Sequence, residues 1–110
     1  MWRATSDGAN PETMNVGVCR IRLRLAENHS LKGKRKVLKS ITAQVSHRFN
    51  VSVAEIDDHD LWQTATLGIS CVSNNGRHVN ETLSHVVNFI ETVRGDAEII
   101  DYEIELLHVL

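Results

Sequence analysis

The sequence predicts an α+β sandwich: a four-stranded antiparallel sheet with two helices on one face. Three observations carry this. Four segments of the 110-residue chain alternate apolar and polar residues with period two. Two others repeat apolar residues at helical spacing. The segments follow one another as β-α-β-β-α-β, and right-handed crossovers turn that order into a sheet of strand order 4-1-3-2, a ferredoxin-like split β-α-β arrangement.

Residues 1 to 13 are polar, contain Gly8 and Pro11, show no period, and read as a disordered tail bearing an isolated Trp2. Met14 is a candidate internal start, and residues 14 to 110 read as a single domain. From Val16 to Leu25, Cys19, Ile21, Leu23 and Leu25 fall on one face and Arg20, Arg22 and Arg24 on the other, which is a half-buried strand. Ser30 is placed to cap a helix whose apolar stripe is Leu31, Leu38, Ile41, Val45 and Phe49. The second strand runs from about Val51 to Ile56 and ends in an acidic turn, Asp57 to Asp60. Ala65, Leu67, Ile69 and Cys71 alternate with Thr64, Thr66, Gly68 and Ser70 in a third strand. "SNNG" is turn chemistry. Val79, Leu83, Val86, Ile90 and Val93 form the stripe of a second helix, which Gly95 is placed to end. The last strand sets Ile100, Tyr102, Ile104 and Leu106 against Asp101, Glu103 and Glu105.

The formal net charge of −2 conceals a division of the chain. Residues 1 to 54 hold ten Lys/Arg and three acids, and residues 55 to 110 hold eleven acids and two bases. In the expected sheet, strand four lies beside strand one, so Arg20, Arg22 and Arg24 should meet Asp101, Glu103 and Glu105 in a cross-strand ladder. That face carries no aromatic residue on strands one or three, which argues against base stacking of the RNA-recognition-motif kind. The cluster at the start of helix one is different. Lys32, Lys34, Arg35, Lys36 and Lys39 occupy the first turns, where the helix dipole is already positive, and no acid stands at i±3 or i±4. These five, extended by His47 and Arg48, are the candidate contacts for an anionic partner such as RNA phosphate. The competing expectation is a solvated lysine face, partly neutralised by the acidic turn.

Enzyme chemistry finds little support. The chain has no glycine-rich phosphate loop and no nucleophile elbow, and its six histidines form no spaced motif. Asp57, Asp58, His59 and Asp60 are adjacent in one turn and cannot all point at one ion, so no metal or cofactor is expected. Cys19 and Cys71 should face the core as inert thiols. Trp62 should staple the turn to a neighbouring element, the alternative being a second subunit. No apolar run reaches the ~18 residues of a membrane span, and together with the two cysteines this points to the cytoplasm.

The segments "HSLKGKRKVLKS", "NVSVAE" and "DLWQTATLG", with "YEIELL" near the end, resemble the YlxP-like family of bacterial proteins, a domain of unknown function. The resemblance covers nearly everything from Met14 onward. It implies a small ferredoxin-like domain with no established catalytic site, and genes that neighbour those of an initiation factor and a ribosome-binding factor. It also implies an acid where this chain has Gly33, which in relatives would complete a capping box with Ser30. The functional expectation is a non-enzymatic accessory protein that binds RNA or a ribosomal particle through helix one. The alternative is a homo-oligomeric interaction module in which Ile99 and Leu107 supply apolar contact beside the ladder. A small ligand- or metal-binding domain ranks below both.

Overall fold

The computed structural model describes residues 14 to 93 and 96 to 110. The expectations of a disordered tail with Trp2, and of a helix ended by Gly95, lie outside the described residues. The elements are β1 (Asn15–Arg24), α1 (Leu31–Arg48), β2 (Ser52–Asp57), β3 (Thr64–Ser73), α2 (Gly76–Val93) and β4 (Glu98–His108). The strands form one sheet of order β2-β3-β1-β4, the expected 4-1-3-2 read from the other edge. All three pairings are antiparallel.

Period two does what it must. Cys19, Ile21 and Leu23 of β1, and Ala65, Leu67, Ile69 and Cys71 of β3, turn to one side and are buried. On that side they meet Val37, Leu38, Ile41 and Val45 of α1 and Val79, Leu83, Val86, Val87 and Ile90 of α2 in a single core, so both helices lie on the same face. Gly17 lets α2 approach β1. A Cβ there would lie 2.2 Å from Val79 Cγ1 and 2.7 Å from Leu83 Cδ1.

Both helices are started by side chains. The Ser30 hydroxyl accepts from the Gly33 amide at 2.9 Å. Asn75 does the same for α2, its Oδ1 accepting from the amides of Arg77 and His78, so "SNNG" is a helix cap as well as a turn.

Two registers depart from simple alternation. A bulge in β4 opposite the Arg22/Leu23 junction skips Ile100, so Leu23 faces Ile99 and Arg24 faces Glu98. Ile99 therefore packs against the core instead of standing beside the charged ladder, whereas Leu107, opposite Val16, does stand on the open face. The second departure is in β2, between Glu55 and Asp57, where the strand leaves β3 for the turn.

Candidate nucleic-acid interface

The structure divides the five cations of α1 into two groups. A helix advances 100° per residue, so position 34 shares a side with 38, 41 and 45. Leu38, Ile41 and Val45 are buried, and Lys34 is buried with them, at 0% exposure. The helix thus turns Lys34 into the protein and leaves Leu31, expected to open the apolar stripe, 39% exposed. The Lys34 ammonium is fully occupied. Its Nζ donates to the carbonyls of Asp58 and Leu61, the latter at 2.7 Å, and lies 3.1 Å from Glu55 Oε2. Arg35 holds the same carboxylate in two-pronged fashion, Nη1 to Oε1 at 2.6 Å and Nη2 to Oε2 at 3.0 Å.

Lys34 and Arg35, expected as phosphate contacts with nothing to compensate them, are therefore matched within the chain. The compensating acid is Glu55 on the helix-facing side of β2, not the acidic turn. Burial alone would push the Glu55 carboxyl up. Hydrogen bonds from Arg35 and Lys34, with the positive charge of both, outweigh it and hold the group below the usual glutamate range. The signal was present in the sequence: Val51, Val53 and Glu55 share one phase of β2, so an acid on the inward face of a strand needs a buried cation to meet it.

The acidic turn frames this pair. Asp58 adopts a left-handed conformation, φ 65°, which Asp tolerates better than most residues. That geometry aims its carbonyl at Lys34, while its carboxylate accepts from the Thr66 hydroxyl at 2.9 Å. The Asp57 carboxylate accepts from the Asp58 amide. Two of the three turn carboxylates are thus engaged in shaping the turn. Trp62 does not staple with its ring, which is exposed; its carbonyl does. Asn28 Nδ2 donates to Trp62 O at 2.6 Å and to Ser30 O at 2.7 Å, tying the turn to the start of α1. Gln63 Nε2 completes the tie through the carbonyls of Ala26 and Asn28.

Gly33 belongs to this arrangement. A Cβ at position 33 would fall 2.1 Å from Asn28 Oδ1. The residue that weakens the helix start in sequence terms gives Asn28 the room to bridge the two loops.

Lys32, Lys36 and Lys39 form the second group. All three are exposed on the outer side of α1, and among the described residues no carboxylate lies within ion-pair distance of them. At i, i+4 and i+7 they span about 10 Å along the helix axis. Lys36 borders a shallow cleft that Glu27 and Asp96 also line. Arg48 is exposed further along, its guanidinium 4.6 Å from the centroid of the Phe89 ring, so it extends the strip while resting on an aromatic face.

The basic row on the sheet behaves otherwise. Arg20 bonds Glu103, and Arg22 bonds Asp101 at 2.8 Å. Arg24 lies 3.6 Å from Glu98, not on one of the three acids expected: the antiparallel register places Glu105 opposite Val18, and the bulge brings Glu98 opposite Arg24 where Ile99 would otherwise stand.

The family model described as "Protein of unknown function (DUF503)" matches residues 16 to 104. The chain belongs to this family. It is also similar to the uncharacterised protein YlxP of Bacillus subtilis (strain 168), at 43% identity over 63 residues, which covers 57% of this chain and 68% of that relative. The expected YlxP-like family is thus shown, as a family of unknown function.

Chemistry elsewhere is spare. Both cysteines are unpaired and buried; burial pushes the Cys19 thiol up to about 11 and also raises Cys71, against a hydrogen bond with Thr82 that pulls it down. Thiols so shifted make poor nucleophiles at neutral pH. Among the described residues no group of three or more His, Cys, Asp or Glu is placed to hold a metal ion, and no helix is long and apolar enough to cross a membrane.

Proposed function

We propose that this member of the DUF503 family is a ferredoxin-like, non-enzymatic accessory protein of the cytoplasm, and that it meets RNA, free or in a ribosomal particle, along the outer side of α1. One observation carries the reading. The arginines of β1 and the inward cations of α1 are matched by carboxylates of the chain, whereas Lys32, Lys36 and Lys39 have no carboxylate within ion-pair distance among the described residues. Such a row attracts phosphate by counterion release and carries no base-reading geometry, so binding is salt-sensitive and weakly sequence-specific. Arg35 contributes little, because its guanidinium is held by Glu55, and Lys34 contributes nothing, being buried.

The test is a binding titration against purified ribosomal subunits and against total ribosomal RNA at two salt concentrations. Reversal of Lys32, Lys36 and Lys39 to Glu should abolish binding, whereas neutralising the three to Gln should weaken it and flatten the log-log salt dependence by about 2. The same variant should melt within a few degrees of the parent. Binding that survives this triple reversal would end the proposal.

A further inference from the structure

We infer that the open face of the sheet, on the opposite side from α1 and α2, is the contact surface for a second copy of this chain. The inference is independent of the RNA reading and uses other residues.

The face divides into a low half and a tall half. Between its ends, on β2 and β3, it presents Ser52, Ala54, Gly68 and Ser70, the floor of a trough of about 540 Å³; Ile56, half exposed beside Gly68, and the exposed Val72 stand at the two ends of that half. On β1 and β4 it presents Val18, Arg20, Glu103 and Glu105, which rise beside that trough. The strand order puts the division on the midline of the sheet, between β3 and β1. A two-fold axis above that midline and parallel to the strands carries β1 over the partner's β3, and β4 over its β2. The tall half of each copy then enters the low half of the other, and both contacts are made by one operation. This is the self-complementarity that an isologous dimer requires.

Charge and area agree with it. The arginines of β1 are already matched by Glu103, Asp101 and Glu98 of β4 in the same chain, so these six charges stay paired on association, while Glu105, opposite Val18 and with no cation in ion-pair distance among the described residues, stands on the edge strand β4. At one end of the face Val16, Val18, Val72 and Leu107 are adjacent across β3, β1 and β4, and the last three are exposed. Four strands about 4.8 Å apart, with β1 and β3 ten residues long, cover roughly 600 Å². Two such faces bury on the order of 1,200 Å², the lower bound of a specific interface.

The experiment is sedimentation equilibrium of the full chain across a concentration series, with three variants. The parent should pass from the mass of one chain to that of two. Ser70→Arg and, separately, Ala54→Arg fill the trough from positions outside the core, and each should raise the dissociation constant at least tenfold while the melting midpoint stays near that of the parent. Lys36→Glu, on the helix side, should leave the mass unchanged. A parent that stays monomeric throughout the series overturns the inference. So does a dimer that persists in a folded Ser70→Arg or Ala54→Arg chain, because the contact must then lie on another surface.

Discussion

Lys34 and Lys36 stand two residues apart in one helix and belong to different environments. Lys34 is sealed in the protein, bonded to two carbonyls and facing Glu55; Lys36 is exposed, with no carboxylate in ion-pair range among the described residues. Two residues rotate the side chain by about 200°, from the core side of α1 to the solvent side. Equal charges in one run of sequence thus carry different meanings. The inner side of the helix uses cations to bind β2 and the turn after it. The outer side leaves them for something else.

The most damaging way to disturb this division is to remove the shared acid. Glu55→Ala leaves a buried ammonium without its counter-charge, and should destabilise the protein by about 3–5 kcal/mol in urea unfolding. An effect no larger than that of a surface ion pair would mean that Lys34 is rescued by water or by movement of the turn. Lys34→Met, which keeps an unbranched side chain and most of its apolar contacts, should cost less, about 1–3 kcal/mol, chiefly for the two carbonyls left without a donor. Arg35 keeps Glu55 paired in that variant.

Acidity probes the same side without mutation. The Glu55 carboxyl titrates below its ordinary value in the folded chain and near 4.5 in the unfolded one. A depressed folded value means that the unfolded state takes up the proton first. The contribution of Glu55 is therefore fully present above pH 4.5 and is lost as pH falls below it toward the folded value. Stability measured from pH 6 downward should drop, and Glu55→Gln, less stable than the parent above pH 4.5, should show a shallower drop and approach the parent at low pH.

A smaller effect sharpens the account of how α1 begins. Helix propensity alone favours Gly33→Ala by up to about 1 kcal/mol. Because the new Cβ would strike Asn28 Oδ1, the substitution should instead destabilise. In an Asn28→Ala background the same change should stabilise. A double-mutant cycle by chemical unfolding measures the reversal of sign, and a stabilising Gly33→Ala in the parent would show that Asn28 does not depend on the space. On the outer side, Lys36→Glu should move stability by no more than about 0.5 kcal/mol and exert its effect on RNA binding alone.

Much of the architecture was legible in advance. Periods of two and 3.6 located all six elements to within a few residues, and the handedness of crossovers ordered the strands, because the burial of one face depends only on local alternation. The ladder between β1 and β4 was also foreseeable, since adjacent strands with opposite charges leave few choices. Its third rung was not. Ile100 is an ordinary strand residue, and nothing in the alternation marks it as the one skipped by the bulge that sends Arg24 to Glu98 and Ile99 to the core.

The candidate site shows the boundary most clearly. Composition and spacing established that positive charge gathers at the start of the first helix, and that no acid within that helix opposes it. Whether the charge was opposed at all depended on Glu55, twenty residues on from Arg35, and on how β2 and the following turn lie against α1. An ion pair forms only when two groups approach within about 4 Å. Periodicity assigns each residue to a face but gives no distance between faces. Folding brought Glu55 to Lys34 and Arg35, and left Lys32, Lys36 and Lys39 in solvent.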